Sequence, residues 1–245
     1  MEPIFAIDMH VRALSTASLG AMANIMRATH LDEAIFASLC RESDMYHVLQ
    51  RCAILVSRMA LTMPPPMFHD MVRATASWPD LCRRLISTSA TLSHARSRKL
   101  VALGLAHMLR HASAQDKGLL SAVPDMIGMW TEVVGEVVED EAGSADRYER
   151  ELSPTRALEI GEDGIPFLDE FGLIEAAPTP SSARTDAVRS RDPSFNVPLR
   201  AYVADTLNAV LQNGSYKTQL QSLLATIDPL VLHTLQRGLS ERPVA

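Results

Sequence analysis

Two histidines one helical turn apart, His107 and His111, have the spacing in this chain that most resembles a chemical site. Imidazoles at i and i+4 on one helix face can hold a metal ion. The zinc-protease pattern puts a glutamate directly after the first histidine, but Met108 stands there, and no third ligand is near in the sequence. We therefore expect no metal site, with one histidine partly buried and the other solvated.

Other pairs of catalytic residue types do not form a recognisable pattern. Ser93 precedes His94 and His69 precedes Asp70, but adjacency in sequence does not make a triad, because a triad is defined by its geometry in the fold. The chain contains no Gly-x-Ser-x-Gly elbow, phosphate-binding loop or dinucleotide fingerprint. We expect a protein that is not an enzyme and has no cofactor.

The composition favours a helical protein with reduced thiols. Of the 245 residues 47% are apolar but only 5% aromatic, and the prevalence of Ala, Leu, Met and Val favours helices over strands. The three cysteines, Cys40, Cys52 and Cys82, are odd in number and lack metal-ligand spacing, which predicts buried, reduced thiols in the cytosol or nucleus. Neither a secretory signal nor a membrane span is expected.

The net charge of −6 comes from one acidic stretch. Residues 132–175 hold 14 acidic residues and 3 arginines, whereas the rest of the chain is close to neutral. A nucleic-acid binder needs a basic stripe to neutralise phosphates. The short basic runs at Arg83-Arg84 and at residues 96–99 are too small for that, so no nucleic-acid partner is expected.

Helical periodicity runs through the first part of the chain. Apolar residues in 45–63 share one helix face, and Pro64 ends that helix. Trp78-Pro79 marks the start of another, with the proline in its first turn. Residues 99–109 are apolar almost all round, which predicts a helix covered on more than one side. The stripe in 119–138 is the longest, and Pro124 predicts a kink or a late start.

Helical order returns after the acidic stretch. Stripes lie at residues 199–211 and 220–227, and Asp228-Pro229 opens a last helix with Val231, Leu235 and Leu239 on one face. No strand signal is found, and helices pair at roughly 35–45 residues per pair, the range of stacked HEAT or armadillo units. The prediction is an all-α fold, an α-solenoid of roughly four or five HEAT/ARM-like antiparallel helix pairs.

We divide the chain into three parts. Residues 1–138 are predicted to be HEAT-like helical repeats and residues 193–245 the closing helices that cap the same solenoid. Residues 139–192 form an acidic linker or insertion, rich in Glu, Asp, Ser, Pro and Gly, and are predicted to be largely disordered. The apolar run at 165–174 inside it is predicted to dock on the rest of the chain.

The C-terminal stretch 191–239 resembles the end of an importin-β superfamily receptor, most closely the importin-eleven branch. An upstream helix, residues 98–105, is similar to a lysine-leucine-glycine-leucine helix of the same terminal repeats. The order of parts also agrees: amphipathic helices, an acidic insert and a closing helical unit. The residues that carry the C-terminal resemblance are Asp192, Pro193, Val197, Leu199, Leu220, Gln221, Ser222, Leu223, Ile227, Asp228, Val231, Leu235 and Gln236.

The resemblance implies a nuclear transport receptor. Such receptors bind protein cargo and carry it between cytoplasm and nucleus, across the nuclear envelope, under control of the small GTPase Ran. Their helix pairs also bind phenylalanine-glycine repeats of nuclear pore proteins. Because these receptors are several times longer, the chain is interpreted as a C-terminal portion, and Ran binding belongs to the longer receptor. The alternative is a HEAT/ARM-type structural scaffold for protein–protein interaction without a transport role.

Two surfaces are candidates for these contacts. The acidic stretch is predicted to attract basic cargo, although a solvated loop that only maintains solubility is the simpler alternative. Stripes containing Met45, Met59 and Met63 suit adaptable apolar contacts with pore repeats, although core packing is the simpler use. The candidate cargo-facing residues are Glu132, Glu136, Glu139, Asp140, Glu141, Glu162, Asp163, Asp169 and Glu170.

Overall fold

The computed structural model describes residue 28 and residues 30–40, 46–113, 115–139, 193–212 and 216–240. These ranges contain eleven helices and no strand, which confirms the all-α prediction. No helix in them is long and apolar enough to cross a membrane. The helices are α1 (Leu31–Cys40), α2 (Tyr46–Thr62), α3 (Pro65–Thr75), α4 (Trp78–Ser89), α5 (Ala95–Arg110), α6 (Lys117–Leu120), α7 (Val123–Glu139), α8 (Pro193–Asn196), α9 (Leu199–Gln212), α10 (Lys217–Leu224) and α11 (Pro229–Ser240).

Prolines and small polar caps set the helix boundaries where the sequence predicted them. The α2 helix ends at Thr62, and α3 begins at Pro65, directly after Pro64, because a proline in the first turn loses no helical hydrogen bond. At the start of α4, the hydroxyl of Ser77 accepts a hydrogen bond from the backbone N–H of Asp80.

The long stripe predicted at 119–138 is two helices in the structure. A short helix, α6, ends at Leu120, and α7 begins at Val123 with Pro124 in its first turn, so the proline causes a late start and no kink inside the helix. The last helix follows the predicted turn, since the carboxylate of Asp228 accepts a hydrogen bond from the backbone N–H of Leu230, with N and O 2.8 Å apart.

Three helix pairs stack in two layers. The pairs are α2 with α4, α5 with α7, and α9 with α11. In one layer α2 packs on α5 and α5 on α9, and in the other α4 packs on α7 and α7 on α11. Since each layer continues from pair to pair, the architecture is an α-solenoid of stacked repeats.

The two helices of the second pair run antiparallel. Arg98, in the first turn of α5, pairs with Glu136 near the end of α7. One turn further along α5, the carbonyl of Ala102 accepts a hydrogen bond from the indole N–H of Trp130, which lies earlier in α7. Residues later in α5 therefore contact residues earlier in α7, as in an antiparallel pair.

Each pair carries a short helix between its two long ones. The connectors are α3, α6 and α10, and the pairs span residues 46–89, 95–139 and 199–240. A span of about 42 to 45 residues lies in the HEAT and armadillo range of about 40–47. The third pair packs directly on the second although 53 residues separate α7 from α8 in sequence.

The α5 helix is the centre of the stack, as its all-round apolar pattern predicted. It contacts α2, α4, α7, α8 and α9, and every residue from Leu100 to Ala106 is buried. At Gly104 an added Cβ would lie 2.9 Å from the Cβ of Ser57 and 3.0 Å from its Cα. The glycine therefore lets the backbones of α5 and α2 approach closely.

The closing helix lies on the preceding pair. Leu235 is 3% exposed, and Val231 and Leu239 are partly buried against the core, so the predicted apolar face of α11 packs on α7 and α9. Polar residues on its opposite side and on α10 are exposed: Lys217, Gln219, Gln221, His233, Gln236 and Arg237.

Several predictions concern residues outside the described ranges. The first 27 residues of the predicted repeats lie outside them, as do residues 140–192 of the insertion, with its apolar run at 165–174. The division into parts 1–138, 139–192 and 193–245 therefore stays a prediction at its inner boundaries.

Replacing Gly104 with alanine tests the close approach of α5 and α2. The added methyl overlaps Ser57, including its backbone, so we expect a loss of about 1–3 kcal/mol in the free energy of unfolding. The matched control is Gly135→Ala in α7, where an added Cβ meets no atom within 4 Å, and where alanine should stabilise the helix by up to about 1 kcal/mol. Urea denaturation of both variants measures the difference, and equal stability would contradict the packing argument.

Candidate interaction surface

Two of the candidate cargo-facing acids lie at the end of α7 and form ion pairs with α5. One terminal nitrogen of the Arg98 guanidinium bonds the carboxylate of Glu136, and the other lies 3.2 Å from the Oε2 atom of Glu132. The arginine side chain is 16% exposed, whereas that of Glu132 is 67% exposed. The cation is thus held inside the solenoid surface while the acids remain accessible.

Helix dipoles explain why these charges need one another. Acidic residues near the C-terminus of α7 and a basic residue near the N-terminus of α5 each oppose the dipole of their own helix. Because the two helices are antiparallel, these ends are neighbours, and the opposite charges compensate each other. The solenoid therefore neutralises part of the acidic stretch where that stretch begins.

The other candidate acids receive no structural account. Glu139 is the last residue of α7, but its side chain is not described, and the rest lie outside the described residues. Whether they face cargo stays a prediction; these residues are Asp140, Glu141, Glu162, Asp163, Asp169 and Glu170.

A buried carboxylate that the sequence did not indicate joins the first pair to the second. Asp116, 1% exposed, lies just before α6, and its two oxygens accept hydrogen bonds from four residues. The Nε atom of Arg73 and the indole nitrogen of Trp78 are each 2.9 Å from Oδ1. The Nδ1 atom of His69 is 3.0 Å from Oδ2, and the backbone nitrogen of Ser113 is 2.8 Å from it.

This arrangement fixes the state of the groups around Asp116. A carboxylate only accepts hydrogen bonds, so the Nδ1 atom of His69 carries a hydrogen. Burial alone would raise the pKa of Asp116, but hydrogen bonds from Arg73, Ser113 and His69 outweigh burial and hold that pKa well below its usual value of 3.8. We call these five residues, including Trp78, the Asp116 hub.

His69 and Asp70 are adjacent in sequence, but His69 is hydrogen-bonded to Asp116 and not to Asp70. Asp70 instead bonds the Arg73 side chain from the exposed side, with 2.6 Å between nitrogen and oxygen. His69 lies 47 positions before the acid it contacts. The only local signal was Ser113, three residues before Asp116, whose backbone N–H and hydroxyl cap the carboxylate.

His107 and His111 lie where α5 meets α9. Their ring centroids are 4.5 Å apart, and the Nδ1 atom of His107 is hydrogen-bonded to the hydroxyl of Tyr202. His107 is partly buried and His111 is exposed, which confirms the predicted difference in burial. Among the described residues no three His, Cys, Asp or Glu side chains come together as metal ligands.

The described thiols and thioethers are used in packing. Cys52 and Cys82 are buried, and burial raises their pKa to about 11 and about 12, so neither is a thiolate at neutral pH. Met59 and Met63 are also buried, so these two methionines fill the core and do not offer a surface to pore repeats. Met45 lies outside the described residues.

Replacing Asp116 with asparagine tests the hub. The change leaves the buried donors of His69 and Trp78 with a poorer acceptor and takes away the inner partner of Arg73, so we expect a loss of about 3 kcal/mol in the free energy of unfolding. Asp70→Asn removes the exposed partner of the same arginine and should cost less than about 1 kcal/mol. Urea denaturation at neutral pH compares the two variants.

The pH dependence gives a second measurement on the same variants. Because the folded-state pKa of Asp116 is depressed, its stabilisation is present above the unfolded value near 3.8 and is lost only as the pH falls below it. The stability gap between the parent chain and Asp116→Asn should therefore stay constant from pH 7 to about 5. A gap that closes over that interval would show that the carboxylate is not held in its charged form.

The chain matches the sequence profile of one family of known proteins. The family described as "Importin-11-like, TPR repeats" matches residues 4–240, nearly the whole chain. No curated protein and no solved structure gives a match. The matched region contains all three helix pairs, the Asp116 hub and the acidic stretch. The chain therefore belongs to the importin-11-like family of helical-repeat proteins within the importin-β superfamily.

Proposed function

We propose that this chain is the cargo-binding portion of an importin-11-like nuclear import receptor. The observation that carries the proposal is the family match over residues 4–240, which supports a role in nuclear transport. The stacked helix pairs support it physically, because a solenoid offers an extended surface without needing a catalytic pocket. Its action is binding and release of protein partners, without covalent chemistry.

The acidic stretch 132–175 is proposed as the surface that attracts basic cargo. Its charge balance of 14 acids against 3 arginines would raise the local concentration of lysine-rich partners and lose strength with salt. The ion pairs of Arg98 with Glu132 and Glu136 support this role, since they tie the beginning of the stretch to the solenoid. Cargo drawn to the stretch would thus be held close to the helix pairs.

Ran would control release from the receptor. In this proposal Ran binds with GTP in the nucleus and favours a receptor state with lower cargo affinity, a coupling that must be reciprocal. Helix pairs elsewhere in the receptor would bind phenylalanine-glycine repeats at the nuclear pore. The protein would then shuttle between cytoplasm and nucleus and be found at the nuclear envelope.

A pull-down with Ran separates this proposal from a scaffold without a transport role. The protein, in the longest form that the cell makes, is immobilised and offered Ran loaded with GTP or with GDP. We expect preferential retention of the GTP form and reduced retention of bound cargo, because the two ligands are coupled. Failure to retain Ran in either nucleotide state, or equal retention of both, would favour the scaffold alternative.

Neutralising acids within the stretch tests its part in cargo binding. The double variant Asp163→Asn, Asp169→Asn should weaken binding of a fluorescent oligolysine peptide roughly twofold to fivefold and flatten its salt dependence. The control is Asp125→Asn, Asp205→Asn, which removes the same charge from exposed helix positions outside the stretch. Anisotropy titrations at several salt concentrations compare the affinities of the two double variants for the peptide. Equal weakening by both would show a general effect of net charge and no specific role for the acidic stretch.

A further inference from the structure

A cluster of one arginine, two histidines and one tyrosine lies where the second helix pair meets the third. Arg110 and His111 are exposed at the end of α5, His107 is partly buried one turn earlier, and Tyr202 faces them from α9. We call these four residues the Arg110 cluster. None of the roles described above uses it.

The geometry of the cluster is ordered around the tyrosine. The guanidinium carbon of Arg110 lies 5.5 Å from the centroid of the Tyr202 ring, a cation–π distance that holds the planar group in place. The rings of His107 and Tyr202 are nearly parallel, with centroids 6.2 Å apart. Burial lowers the pKa of His107 to about 4, so His107 is neutral at pH 7 and its Nδ1 atom can accept the tyrosine hydrogen.

Arg110 differs from the other arginines whose ion pairs are described. Arg73, Arg83 and Arg98 each pair with one or two carboxylates. Among the described residues, no carboxylate is paired with Arg110, His107 or His111. Burial lowers the pKa of His111, and the cationic Arg110 beside it lowers that pKa further. The cluster therefore presents one guanidinium charge that no described carboxylate pairs with, beside an exposed imidazole that can donate a hydrogen bond.

We propose that the Arg110 cluster binds an acidic segment of a partner protein, a short run of Asp or Glu side chains. The Arg110 guanidinium has five N–H donors in a planar fork that matches a carboxylate. The imidazole of the exposed His111 supplies a further donor, and the Tyr202 ring keeps the arginine oriented. The site would recognise one or two carboxylates, too few for a nucleic-acid backbone in a chain of net charge −6.

The position of the cluster gives such a contact a structural consequence. The α5 and α9 helices belong to successive pairs, so a partner at their junction would touch both. The protein would then have two sites of opposite preference, since the acidic stretch attracts basic segments and the Arg110 cluster attracts acidic ones. This second preference does not depend on the transport role.

Binding of a fluorescent oligoglutamate peptide to the full chain tests the proposal. We expect saturable binding that weakens with salt, and a loss of roughly fivefold or more in affinity for Arg110→Gln. Arg110→Lys keeps the charge but not the fork and should bind with intermediate affinity. The control Arg83→Gln removes an exposed arginine that is already paired with Asp80 on α4 and should change affinity less than twofold. Melting temperatures of the three variants check that each is folded.

Four other results would each overturn the proposal. Absence of saturable binding, or equal weakening by Arg83→Gln, would show that the cluster has no specific affinity for carboxylates. Binding of a phosphoserine peptide without binding of oligoglutamate would assign a different anion. A salt-dependent shift of the His111 ring signals in the full chain without peptide would show that its own acidic residues occupy the cluster. Dimers in sedimentation that Arg110→Gln abolishes would assign the surface to a second copy.

Discussion

The close packing of α5 against its neighbours is the constraint on which the solenoid depends. This helix is buried nearly all round, and it contacts both helices of the first pair, its own partner α7 and the first long helix of the third pair. Gly104 allows the approach, because any larger residue would meet Ser57 of α2. Burial of an aliphatic side chain contributes about 1.5–3 kcal/mol, so this helix concentrates much of the apolar stabilisation between pairs.

Apolar packing alone does not fix how helices are oriented on one another. Two polar clusters add that direction, the Asp116 hub between the first two pairs and Arg98 with its two acids within the second pair. The Asp116 hub ties α3 and α4 of the first pair to the loop that opens α6 in the second. Arg98 ties α5 to the end of α7, where the acidic stretch begins. Hydrogen bonds are directional whereas hydrophobic contacts are not. The carboxylate of Asp116 is buried and accepts hydrogen bonds from four residues, so a rotation of one pair against the other would leave a charged group without partners.

The helices and their stacking were predictable because they follow from local pattern and composition. The apolar stripe from 45 to 63, the all-round apolar α5 and the Asp228-Pro229 turn all appear in the structure where the sequence placed them. The Asp116 hub was not predictable, since His69 and Trp78 lie about 40 positions or more from the acid, and no period or spacing connects them. The same holds for Arg98 and Glu136, whose contact depends on the antiparallel packing of α5 and α7. Side chains brought together by tertiary structure leave no trace in a single sequence, unlike helix caps and faces.

The family name and the fold agree on stacked helix pairs but differ on the length of the unit. A tetratricopeptide unit has about 34 residues, whereas each pair here spans about 42 to 45 residues. The difference is the short connecting helix that follows the first long helix of every pair. The connectors of the first two pairs carry most of the Asp116 hub: α3 provides His69 and Arg73, and α6 follows directly on Asp116. A shorter unit would lose the segments that supply these side chains, so the added length of these two pairs and the orientation of one on the other have the same structural origin.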